Sequence, residues 1–144
     1  MANIHENIVI KIGVNILSTK VATLHELGEL LISNNSDDLS SGGIWIWDYA
    51  TSEVYYSPKF CEILGYDYGE LGNGFGGFDR GDKANMAYGM KLINNLIEEN
   101  LNENFINTIK FKKKDESDII IQCTGTVLYR YGKPYIILGT HKIL

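Results

Sequence analysis

The sequence has 144 residues, 44% hydrophobic and 22% charged, and a formal net charge of −5 at pH 7. Those values fit one folded domain and exclude a disordered or fibrous chain. The acidic balance argues against nucleic-acid binding, which needs a basic stripe. No apolar stretch approaches the ~20 residues of a membrane-spanning helix, and the start of the chain lacks a basic, apolar leader. Two cysteines, Cys61 and Cys123, are too few for a disulfide framework, and His5, His25 and His141 are far apart with no metal-ligand spacing. The expectation is a cytoplasmic protein with reduced thiols, no metal and no catalytic set.

A polar, turn-forming run from Asn34 to Gly43 divides the chain into an arm or linker (1–41) and a main domain (42–144). In the arm, Ile10, Val14, Leu17, Val21, Leu24, Gly28 and Leu31 fall at alternating spacings of four and three, the seam of an amphipathic helix. Ile8, Ile10, Ile12, Val14 and Ile16 also alternate with period two, so residues 8–17 fit either a strand or a helix. From about Ser18 to Ser33 the pattern predicts a helix, with Ser18 as its cap.

The main domain opens with Gly43-Ile44-Trp45-Ile46-Trp47-Asp48-Tyr49, a strand pattern, and Val54-Tyr55-Tyr56 is the returning strand. Ser57-Pro58 starts a short helix that Gly65 stops. After the glycine-rich loop 72–77, Asp82 caps a longer helix with Met86, Met90, Ile93 and Ile97 along one face. Three strands follow, Phe105 to Lys113, Ile119 to Arg130 and Pro134 to Lys142. The order predicts an α+β domain whose helices cover one face of a five-stranded antiparallel sheet, preceded by a helical arm.

Several strands are apolar on both faces: Ile44 to Trp47, Ile119 to Ile121 and Tyr135 to Leu138. Continuous runs mean burial on both sides. Internal helices cover one side, so the arm, a second copy of the chain, or both must cover the other. Exposing such side chains would forgo ~1.5–3 kcal/mol each. The expected self-association surface comprises Val14, Leu17, Val21, Leu24, Leu31, Ile136 and Leu138.

The run Gly43-x-Trp45-x-Trp47-Asp48-x-x-Thr51, then Tyr56-Ser57-x-x-Phe60-x-x-Ile63-Leu64-Gly65-Tyr66 and Glu70-Leu71, resembles the bacterial sensory branch of the PAS family. The tail Gly132-Lys133-Pro134 to Gly139-Thr140 is similar to that family's closing strand. The likeness spans about residues 42–144. Two features depart from it. The family's H-P-x-D step keeps only Asp82, and its closing D-I-T is replaced by Lys142-Ile143-Leu144; if Leu144 is the native end, output would pass to a signalling protein in trans or through a change of oligomeric state.

The resemblance implies a ligand space between sheet and long helix. A covalent flavin needs a cysteine that Asn73 to Arg80 lacks, and haem needs a histidine that Asp82 to Leu101 lacks, so both cofactors are disfavoured. The expected pocket consists of Trp45, Trp47, Met86, Met90, Ile93, Ile97, Cys123, Gly125 and Val127, with a filled core as its alternative. The resulting expectation is a non-enzymatic, homodimeric sensory domain that takes a small ligand. The alternatives are a ligand-free dimerisation or adaptor module and, with no acid–base pair in view, an enzyme using the same space.

Overall fold

The computed structural model describes residues 12–14, 16–17, 23–35, 42–101 and 103–144. Its elements are α1 (Leu24–Asn35), β1 (Ile44–Asp48), β2 (Val54–Tyr56), α2 (Pro58–Ile63), a 3-10 turn (Phe78–Arg80), α3 (Lys83–Glu98), β3 (Asn104–Lys112), β4 (Asp118–Arg130) and β5 (Lys133–Ile143). The five strands form one antiparallel sheet in the order β2-β1-β5-β4-β3. This is the α+β architecture expected, with α2 and α3 on one face and the helical arm ahead of the domain. No helix among the described residues is long and apolar enough to cross a membrane.

Local chemistry sets the boundaries. Asp48 Oδ1 accepts from Ala50 N and Thr51 N, and Asp48 N donates to Glu53 O, which closes the β1–β2 hairpin. Ser57 caps α2 by accepting from Phe60 N, and the same hydroxyl oxygen accepts from Ile44 N at 2.9 Å. One side chain therefore pins the start of a strand to the start of a helix. Asp82 caps α3 by accepting from Asn85 N.

Each face of the sheet carries its own core. The inner face packs Trp45, Trp47, Phe105, Phe111 and Cys123 beneath α3 and the Phe60 ring of α2. On the outer face Ile44, Ile46, Tyr55, Ile136 and Leu138 meet Ile12, Ile16, Leu27 and Leu31 of the arm. For the runs Ile44 to Trp47 and Tyr135 to Leu138 the second cover is thus the arm of the same chain. The run Ile119 to Ile121 is not covered on both faces, since Ile120 at the start of β4 is 39% exposed and lies outside the arm's core.

The arm keeps the expected seam in α1, where Leu24, Gly28 and Leu31 face the sheet, and departs from it in residues 12–14 and 16–17. Residues 12–14 and 16–17 are helical, which decides between the two readings of that stretch where it is described. Ile12, Ile16, Leu27 and Leu31, two pairs four residues apart, face the sheet, while Val14 is 62% and Leu17 43% exposed. Spacing of four in a helix puts side chains above one another, and a step of two turns them away. Leu24 packs at the edge of this core, and Leu31, Ile136 and Leu138 are covered within the chain. Val21 and Ser18 lie outside the described residues.

Candidate functional site

The space between α3 and the inner sheet face holds a cavity of about 30 Å³. β1 supplies Trp45 and Trp47, β3 supplies Phe105, Asn107, Ile109 and Phe111, and β4 supplies Cys123. Met86, Gly89, Met90 and Ile93 come from α3, and Phe78 closes the end. Alternation along β3 puts residues 105, 107, 109 and 111 on this face. Room for a water requires ~10–15 Å³, so the cavity takes little more than a water as it stands.

Close backbone approaches shape the walls. A Cβ on Gly139 would lie 2.6 Å from the Trp45 ring, so glycine there lets the indole lie flat on β5. A Cβ on Gly89 would lie 2.6 Å from Asn107 Nδ2, which lets α3 settle against β3. Asn107 Nδ2 donates to Asn85 O at 3.1 Å, and Asn85 Oδ1 accepts from Lys110 N at 3.0 Å. Phe78 packs edge-on to Trp45 at 5.0 Å between ring centres and stacks on Phe75 at 5.6 Å.

Polar groups are few. Trp47 Nε1 is buried with no hydrogen-bond partner among the described residues, and an unmade buried bond costs ~1–3 kcal/mol. Burial pushes the Cys123 thiol up to about 12. Burial also raises the Cys61 thiol, whose sulfur lies 3.9 Å from Tyr56 O. Neither thiol is a thiolate near neutral pH, so neither is primed as a nucleophile.

Of the nine pocket residues expected, Trp45, Trp47, Met86, Met90, Ile93 and Cys123 line the cavity. Three lie elsewhere. Ile97 packs on the core one turn beyond Ile93, and Val127 is buried within it. Gly125 offers no space, because the Phe105 ring lies over it, 2.3 Å from where a Cβ would sit. Phe78, Gly89, Phe105, Asn107, Ile109 and Phe111 were missed. The period-two pattern of β3, with Asn107 as its one polar member, carried the signal for four of them.

A second polar constellation joins the arm to the sheet edge. Tyr55 Oη lies 3.2 Å from Tyr68 Oη, Tyr68 donates to Glu29 Oε1 at 2.9 Å, and His25 Nε2 lies 2.9 Å from the same oxygen. Burial raises the phenols of Tyr55 and Tyr68 above their ordinary range.

No family model matches the chain, and no curated protein does. Solved structures do. A sensory box histidine kinase/response regulator from Burkholderia thailandensis matches at 22% identity and TM-score 0.59, covering 81% of this chain and 82% of that one. The N-terminal domain of a diguanylate cyclase with PAS/PAC sensor from Marinobacter aquaeolei matches at 14% identity and TM-score 0.57, covering 69% and 92%. The fold is that of a PAS domain. Drosophila Cycle PAS-B, solved with bound ethylene glycol, shares this PAS fold at 12% identity and TM-score 0.58, covering 71% of this chain and 99% of that one. At these identities the likeness concerns the PAS architecture and leaves chemistry to the residues themselves.

Proposed function

We propose that the chain is a non-enzymatic, cytoplasmic sensory module that takes a small, neutral, largely apolar molecule between α3 and the sheet. The observation that carries this reading is the inner cavity, walled by two tryptophans, two phenylalanines of β3 and the flexible Met86 and Met90. Its single titratable lining group is the Cys123 thiol, held protonated by burial. A wall without a proton donor or acceptor active near neutral pH suits binding rather than catalysis. A cavity of about 30 Å³ takes little more than a water, so a larger guest needs the walls to give. Entry therefore displaces a methionine of α3, and occupancy shifts that helix against the sheet.

In the same reading the outward-facing Val14 and Leu17 of the arm contact a second copy, and output passes to a signalling protein in trans. The test is native mass spectrometry of the whole chain, joined to a thermal-shift screen of small neutral metabolites. The expected result is excess mass on the subunit or a raised Tm with a defined compound, and a dimer that Val14→Lys/Leu17→Lys dissociates. The small cavity favours a second reading, a ligand-free adaptor. Bare subunit mass together with an unmoved Tm would establish that reading and overturn the first.

A further inference from the structure

A groove opens where the C-terminal end of α3 meets the start of β3, with a volume of about 340 Å³ against about 30 Å³ for the inner cavity. Leu92, Leu96, Leu101 and Phe105 form its apolar floor, with Asn95 and Asn104 beside them. Ile106 borders it from the opposite face of β3, where it is 46% exposed. Glu99 and Glu103 stand on the rim and Glu98 immediately precedes Glu99, while no Lys or Arg among the described residues lines the groove. The ion pairs of the described residues all lie elsewhere.

The charge of this corner runs against the helix that ends in it. The C-terminal end of a helix is its negative pole, where cations stabilise and carboxylates do not. The last turn of α3 has no basic residue and closes on Glu98 and Glu99; at the other end the cap is the acidic Asp82, followed by Lys83 in a first turn that holds no carboxylate. Backbone hydrogen bonds close the same end. Asn100, at φ +52°, donates to Ile97 O at 3.1 Å, and Leu101 donates to Leu96 O at 2.9 Å. This is a Schellman closure with its apolar Leu96–Leu101 pair. A helix end with well-made hydrogen bonds but unfavourable charge beside an apolar trough is a local conflict of the kind proteins keep where a surface is used.

We propose that this groove docks a segment of a partner protein whose apolar side chains enter the floor. Lysine or arginine side chains of that segment meet Glu98, Glu99, Glu103 and the negative pole of α3. The bound segment supplies the cations the helix end lacks, and opposite charge steers it onto the site. The proposal goes beyond the ligand reading and needs no occupant in the inner cavity. Because α3 also walls that cavity, a partner seated at its end sits on the element that ligand entry moves.

The experiment titrates a synthetic amphipathic Leu/Lys peptide into the whole isotope-labelled chain, with a Leu/Glu peptide of the same pattern as control. Saturable amide shifts centred on residues 92–106 are expected for the Lys peptide and none for the Glu peptide. Glu98→Lys/Glu99→Lys/Glu103→Lys weakens binding by about tenfold or more, while its Tm holds or rises because the pole of α3 is now answered. Should that variant fail to fold, Glu99→Gln/Glu103→Gln reports the same loss in smaller measure. Shifts scattered over the acidic surface, an equal response to the Glu peptide, or unchanged affinity in the variants overturns the proposal. So does a concentration-dependent dimer that the charge reversal abolishes, since the groove then belongs to a second copy.

Discussion

The inner face of the sheet is packed with rings, Trp45, Trp47, Phe105 and Phe111, and the outer face with branched aliphatics, Ile44, Ile46, Ile136 and Leu138. Their covers differ in kind as well. α2 and α3 lie between β2 and β3 in the chain, so the inner cover is tied to the sheet at both ends. The outer cover enters from the N-terminal side and meets the sheet chiefly through Ile12, Ile16, Leu27 and Leu31. Damage to the inner cover therefore costs the whole domain, whereas damage to the outer one is absorbed by releasing the arm.

The sharpest test of that contrast is Phe105→Ala. Removing a buried ring costs ~3–5 kcal/mol, read from urea unfolding, and opens space above Gly125. The enlarged cavity is expected to accept benzene and recover part of the lost Tm. Leu31→Ala on the outer side costs less, ~2–3 kcal/mol, because the arm can lift away rather than enclose a hole. Hydrogen exchange should then rise across α1 while the β4–β5 amides stay protected, and equal loss in both would erase the distinction.

Gly28→Ala sets two effects against each other. A methyl there would lie 2.4–2.5 Å from three atoms of the Tyr55 ring. Overpacking costs ~1–3 kcal/mol and the better helix former returns ~1 kcal/mol, so a net lowering of Tm by a few degrees is expected. A rise would mean that the ring yields freely.

Alkali sharpens the same boundary. The folded phenols of Tyr55, Tyr56 and Tyr68 are raised, mainly by burial, so the unfolded chain loses these protons first. Stability is full below the ordinary tyrosine range and falls as pH rises through it and beyond. Tyr55→Phe should flatten that decline in a pH series of denaturation midpoints.

The smallest effect belongs to Lys114 and Glu70, whose Nζ and Oε2 lie 2.6 Å apart on the surface. Lys114 holds the Glu70 carboxyl below its ordinary value, and Glu70 raises the Lys114 amine. The carboxylate's share is present above the ordinary glutamate range and lost on acidification through the lowered folded value. The amine's share is present below the ordinary lysine range and lost as pH rises through the raised one. Lys114→Met should return Glu70 to its ordinary titration by NMR with little change in Tm.

The strands and internal helices were legible because each carries its own local signal. The Trp45/Trp47 alternation, the Ser57-Pro58 start and the Asp82 cap are read from neighbours in sequence. Burial of both sheet faces was legible too, from runs such as Ile44 to Trp47. The phase of the arm was legible in α1 but not in residues 12–14 and 16–17, because Val14 and Leu17 fit a seam as well as Ile12 and Ile16 do, and only the shape of the opposing sheet decides between them. Gly125 misled for a similar reason. A missing side chain reads as room, yet its neighbour across the ladder, Phe105, takes that room. Which residue fills a vacancy is a property of strand register, a long-range fact that spacing does not carry.

Register has a further consequence in time. Ile44 finds its partner Thr140 far downstream, and the β1–β5 ladder is the seam joining the β1–β2 hairpin to the β3–β4–β5 meander. Each half can assemble from near neighbours, but the seam must wait for a long loop to close. On a ribosome the first hairpin would emerge with its best partner still unmade, and the sheet would acquire its middle last.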